Sequence, residues 1–192
     1  MWNQVKVSLK FDDSQKQFPI EILNQWSLTE LEIIGGSFTY FPEDISVLRN
    51  LEKISLVSTQ INFIPRELFE LPNIKYINLK NNDITTLPTL TKRNSIHSLI
   101  LSRNKISEID HFFRYFGELS TLDLGHNHLA QIPKDFASLN KIRRLILDSN
   151  KLKMLPINLD QLPLLQHLSV DNNFFDPDEK SRIQKYLNIS LE

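Results

Sequence analysis

The sequence contains no cysteine, which removes disulfides, thiolate metal sites and cysteine nucleophiles together. Its fold must close on packing and hydrogen bonds alone, so a disulfide-independent setting such as the cytoplasm is expected. Glycine is scarce, with four in 192 residues. A glycine-rich phosphate loop therefore has no foothold, and neither H-E-x-x-H nor G-x-S-x-G occurs. Charge of one sign is not in excess, since 22 Lys and Arg face 23 Asp and Glu. That balance disfavours attraction to nucleic acid or to an anionic membrane. No apolar run reaches the length of a membrane span, and the opening stretch from Met1 to Val7 lacks the layout of a signal peptide. A soluble chain without cofactors is the expectation.

What the sequence does contain is a repeat. From Phe18 to Phe175 the pattern L-x-x-L-x-L-x-x-N-x-L-x-x-L-P-x-x-L-x-x-L recurs. Its leucine-x-leucine pairs are Leu31/Ile33, Ile54/Leu56, Ile77/Leu79, Leu99/Leu101, Leu122/Leu124, Leu145/Leu147 and Leu168/Val170. Three residues beyond each pair stand Gly36, Thr59, Asn82, Asn104, Asn127, Asn150 and Asn173. The period is 23 residues except for one repeat of 22, where the stretch Thr89 to Ser95 is a residue short. Seven registered copies do not arise by chance, and each predicts a short strand.

This repeat resembles the leucine-rich-repeat family in its leucine-proline form, similar to bacterial and Ras-interacting members, and the resemblance spans the chain. It implies a single α/β domain over residues 1–192: a right-handed solenoid with a concave parallel sheet of seven or eight strands and a convex side of turns and single helical turns. Residues 1–17 would form an N-terminal cap, 18–175 the seven repeats and 176–192 a C-terminal cap.

The physical reason for the pattern is that one repeat cannot bury its own leucines. Alternation along a strand sends Leu122 and Leu124 inward and Thr121, Asp123 and Gly125 to the open face. Stacked neighbours then share one continuous core, with parallel strands roughly 4.8 Å apart. An inward Asn can donate and accept, so the asparagines should satisfy the turn backbone as a ladder. Gly36 and Thr59 cannot do both, so the first two turns should be the loosest. Pro42, Pro65, Pro88, Pro133 and Pro156 favour extended or turn geometry on the return side. The segment His111 to Phe116, with Asp110 in place of proline, reads as a helical turn with extra aromatic cover.

Both ends of a solenoid need closing. Val5, Val7 and Leu9 alternate as an added strand. Asp176-Pro177-Asp178-Glu179 reads as an N-cap, a first-turn proline and a capping-box glutamate opening a terminal helix, with Ile183, Tyr186 and Leu187 on one face.

With the leucines fixed inward, the open strand positions form four columns. From these the candidate partner-binding residues are Tyr76, Asn78, Lys80, Ile100, Arg103, Asp123, His126, Arg144, Ile146 and Asp148. Tyr76, Ile100, Arg144 and Ile146 stand out because the repeat does not require them, and their charged neighbours would set specificity. Ser102, in the third column, is expected to be exposed. Asp123, His126, Asp148 and His167 could in principle hold a metal, but a solvated polar patch is the better reading, and His126 and His128 make a poor chelate around an inward Asn127. The basic residues Lys141, Arg143, Arg144, Lys151 and Lys153 are divided between faces and interrupted by Asp148. Asn188-Ile189-Ser190 fits a glycosylation acceptor, read as coincidence without a leader. The expected function is a non-enzymatic, monomeric scaffold that grips a protein or peptide on its concave face. Carbohydrate or surface-ligand recognition is the alternative, and a metal-dependent enzyme site a more distant one.

Overall fold

The computed structural model describes residues 5–38, 40–109, 111–155 and 162–187, the last two without their side chains. Asp110, Pro156 and the Asn188-Ile189-Ser190 triplet lie outside the described residues, as do the side chains of Tyr186 and Leu187.

Eight strands form one parallel sheet in strict chain order. They are β1 (Val5–Lys10), β2 (Leu28–Ile34), β3 (Lys53–Val57), β4 (Tyr76–Asn78), β5 (Ser98–Ile100), β6 (Thr121–Asp123), β7 (Arg144–Ile146) and β8 (His167–Ser169). Seven come from the repeats, and β1 is the added strand that alternation in Val5, Val7 and Leu9 predicts. The register keeps equivalent positions side by side, so Leu122 lies between Leu99 and Leu145. Each leucine-x-leucine pair from Leu31/Ile33 to Leu145/Leu147 is buried in one continuous core.

The return side consists of single helical turns. Short 3₁₀ turns cover Ile20–Asn24, Glu43–Val47, Phe112–Tyr115 and Lys134–Ser138, and α1 is one turn at Arg66–Phe69. Pro42, Pro65 and Pro133 each stand immediately before a turn in extended conformation. There the fixed proline φ suits the entry, and no helical N–H is forfeited.

Among the described residues the 22-residue repeat has no helical turn between α1 and Phe112. Aromatic rings bridge that gap: Phe69 meets Phe112 at 5.2 Å and Phe116 at 6.4 Å, both edge to face. Phe113 continues the cluster to Phe136 at 5.3 Å. The expected aromatic cover at His111 to Phe116 thus compensates for the deletion one repeat earlier.

The asparagine ladder is present and two-sided. Asn127 Nδ2 donates to the carbonyls of Leu101, Leu124 and Gly125, and its Oδ1 accepts the Ile106 N–H at 3.0 Å. Asn104, Asn150 and Asn173 repeat this set one repeat apart. The Thr59 turn is not loose, contrary to expectation. Thr59 is fully buried, and both its N–H and its hydroxyl donate to Asn82 Oδ1, at 2.9 and 2.8 Å.

One backbone feature has no sequence signature. The residue before each ladder position adopts positive φ: Gly35, Ser58, Asn81, Arg103, His126, Ser149 and Asn172. For the side chains other than glycine and asparagine this costs about 1 kcal/mol each, which the ladder hydrogen bonds offset.

At the C-terminal end, α2 (Pro177–Leu187) opens on Asp176, whose Oδ1 accepts the Glu179 N–H at 2.8 Å. Glu179 departs from the expected capping box. Its carboxylate accepts the Leu155 N–H at 2.8 Å and pairs with Arg182 at 2.6 Å, while Arg182 also donates to the Leu155 carbonyl. The glutamate therefore fastens the helix to the preceding repeat, with Ile183 wholly buried beneath it.

Candidate functional site

The open face of β1–β8 carries every candidate residue, but in different states. Asn78, Asp123 and Asp148 are half-buried, and their oxygens close local backbone. Asn78 Oδ1 accepts the Lys80 N–H at 3.1 Å, and Asp123 Oδ1 accepts the Gly125 N–H at 3.0 Å. Asp148 accepts the Ser169 hydroxyl at 2.6 and 2.7 Å and the Asp171 N–H at 2.9 Å. These three side chains are engaged in finishing the strands. Tyr76, Lys80, Arg103, His126 and Arg144 are exposed, and Ile100 and Ile146 are half-buried. Positive φ at Arg103 and His126 sets both at the rim where strand passes into turn.

Tyr76, Asn78 and Ile100 come together in a recess of about 290 Å³ over the N-terminal strands, with Lys6, Glu30, Glu32 and Lys53 around them. Register dictates the grouping, since Lys53 pairs with Tyr76, which in turn pairs with Ser98. The charges are interleaved: Lys6 lies 3.6 Å from Glu32 and Lys53 3.9 Å from Glu30. The Ser8 hydroxyl donates to Glu32 at 2.9 Å, and this bond, helped by Lys6, holds that carboxyl below the ordinary glutamate range. Exposed pairs of this kind add little stability, about 0–1 kcal/mol. They do order the charged ends, so the recess presents alternating charge beside an aromatic ring. Tyr76 is tilted over His97, with ring centres 6.4 Å apart.

Further along, Ile146 pairs with Asp123 and Arg144 with Thr121. Gly125 is buried between them. A side chain there would come within 3.3 Å of both Asp123 and Ile146, so glycine keeps this part of the face shallow. Lys6, Glu30, Glu32 and Lys53 were not among the sequence candidates. The alternation that identifies β1 also places Lys6 and Ser8 on the open face, and it could have found them.

One sequence expectation changes here. Ser102 is buried rather than exposed, and its hydroxyl has no partner among the described residues. At the third column the chain is already bending toward the ladder, and the Ser102 carbonyl accepts the Asn81 N–H at 2.9 Å. Asp123, His126, Asp148 and His167 do not converge: among the described residues no three His, Asp or Glu side chains are grouped to hold a metal ion. The basic group is dispersed too, with Lys141 paired to Glu118 at 2.6 Å.

A family model described as leucine rich repeat matches residues 49–106, 94–152 and 118–175. The chain belongs to the leucine-rich-repeat family. Among solved structures, it is similar to a leucine-rich-repeat protein of Leptospira interrogans, at 31% identity and a TM-score of 0.63 over 92% of this chain and 40% of that one. It also resembles an internalin of Listeria monocytogenes (21% identity, TM-score 0.68, 83% of this chain and 46% of that) and a TDR receptor (24%, 0.69, 83% and 29%). The last two likenesses concern the fold. The chain spans less than half the length of each of these proteins. A search of curated proteins finds no match. Leucine-rich-repeat proteins are typically interaction modules without enzymatic activity, and membership of the family supports a protein-interaction scaffold in general. Among the described residues no helix is long and apolar enough to cross a membrane.

Proposed function

We propose that this leucine-rich-repeat chain is a non-enzymatic recognition module that binds a protein or peptide on its concave face. One observation carries the reading. Along that face the side chains of Tyr76, Ile100, Arg144 and Ile146 close no ladder or strand backbone among the described residues, while those of Asn78, Asp123 and Asp148 beside them do. A rigid floor with large side chains free of structural duty suits partner contact, because binding then orders few protein groups. Tyr76 and Arg144 belong to the residue types that dominate contact energies, and Ile100 adds apolar area beside ordered charge. Lys80, Arg103 and His126 line the rim and would govern selectivity and encounter rate.

The test begins with affinity capture using the parent chain and identification of what is retained. The Ile100→Asp, Arg144→Glu double variant should keep the parent melting temperature and lose that partner by at least about 100-fold, since two central contacts are worth about 1.5 kcal/mol or more each. Undiminished binding by the folded double variant would move the contact off the concave face.

A further inference from the structure

Repetition supplies an internal control for each surface position of the N-terminal return side. Ile20 opens the first helical turn, where Glu43, Arg66 and Lys134 open theirs. Val47 ends the second turn, where Asn24, Phe69, Tyr115 and Ser138 end the others. Trp26 stands five residues before its leucine-x-leucine pair, a position held by Arg49, Pro72, Asn94, Gly117, Asn140 and Pro163 in the other repeats. The fold therefore accepts polar or small residues at these positions and does not itself require large apolar ones. Ile20 is 59% exposed, Trp26 73%, Tyr40 61% and Val47 43%.

These four side chains line one open groove of about 510 Å³ across the first two helical turns. Isolated exposed apolar residues are ordinary, but a contiguous group marks a contact surface. Glu21 and Asp44 also line the groove, and among the described residues no lysine or arginine does. An acidic margin around an apolar floor repels acidic segments and anionic lipid and favours a basic, apolar one. The groove is built on the turns, across the core from the strand face, so its occupation would leave the concave columns open.

We propose that this groove docks a segment of a partner protein in which large apolar side chains alternate with lysine or arginine, making the chain a scaffold with two faces. Trp26 reports on it directly once Trp2 is replaced by Phe. A short synthetic Leu/Lys peptide should shift Trp26 emission to the blue in a saturable titration, and the matching Leu/Glu peptide should bind at least about 10-fold more weakly. Tyr40→Ser with Val47→Asp should weaken the Leu/Lys peptide by about 10-fold or more, and Glu21→Lys with Asp44→Lys should invert the preference between the two peptides. Ile100→Asp with Arg144→Glu should leave this titration unchanged, which separates the groove from the concave reading. Absence of saturable binding, or equal binding of both peptides, would overturn the proposal. So would a blue shift of Trp26 with phosphatidylcholine vesicles, which would make the groove a lipid contact. Self-association abolished by Val47→Asp would give the groove to a second copy of the chain and overturn it as well.

Discussion

At Asn127 a buried amide reaches back to the carbonyl of Leu101 and the N–H of Ile106 in the preceding repeat, and across to its own Leu124 and Gly125. At Gly36, the same position of the first repeat, there is no side chain to do any of this. The space is taken by the Phe38 ring, which would lie 2.8 Å from an added Cβ. Phe38 belongs to an edge-to-face group with Phe11 at 6.0 Å and Phe18 at 5.9 Å, and Phe18 meets Phe41 at 5.3 Å. Thr59 stands between the two regimes. It is bonded through Asn82, but it has no amide with which to extend the ladder. The same turn is thus closed by hydrogen bonds through most of the solenoid and by aromatic packing at its start. A ladder position matters for the backbone groups it satisfies, and packing suffices where the turn lies next to the cap.

That comparison can be broken from either side. Asn127→Ala should cost about 3–5 kcal/mol in urea unfolding, because it strips partners from buried backbone groups at about 1–3 kcal/mol each. A cost under about 1 kcal/mol would mean the ladder is ornamental. Gly36→Ala should cost about 1–3 kcal/mol for a different reason, since it sets a methyl against Phe38 at φ +93. Pairing it with Phe38→Leu should recover part of that loss, a rescue unavailable to Asn127→Ala.

Acid should distinguish the two ends. Burial works against the charge of Glu179, but Arg182 and the Leu155 N–H outweigh it and hold its pKa below the ordinary glutamate value. A carboxyl lowered in the folded state stabilises it fully above the unfolded pKa of about 4.3 and loses that contribution as pH falls through the lower folded value. Protection factors of the α2 amides, measured against intrinsic exchange at each pH, should therefore fall below about pH 4. In Glu179→Gln the loss of protection specific to α2 should vanish, while the amide ladder, having no titratable group, keeps its protection. Ser102→Ala should change stability by less than about 0.5 kcal/mol, and in the stabilising direction, because it removes a buried hydroxyl without a partner. A larger loss would reveal a bond to Ser102 within the ladder.

Much of this architecture is legible in the sequence because one physical requirement recurs: inward aliphatic residues at fixed spacing, followed by an amide. Leu122, Leu124 and Asn127 announce their own environments. The terminal helix is equally readable, since Asp176 and Pro177 act within four residues of each other. What escapes is whatever depends on neighbouring repeats. Ser102 obeys the strand alternation yet is covered by the bend that follows. Asp123 and Asp148 look like contact residues, but their oxygens turn to backbone two residues ahead or one repeat away. Glu179 has the spacing of a capping box and instead joins Leu155, 24 residues earlier. Alternation puts Lys6 on the open face, but its place beside Glu32 in the recess follows from the pairing of β1 with β2.

The most direct measurement is residue-resolved amide exchange on the parent chain. The N–H groups of Ile84, Ile106, Leu129 and Leu152 each donate to an asparagine Oδ1, although they lie in turns where exchange is ordinarily fast. They should exchange only with global unfolding, as slowly as the amides of the buried strands. If they instead exchanged as fast as exposed turn amides, the asparagines would not be holding the repeats together, and the division between a structural interior and a free concave face would fail.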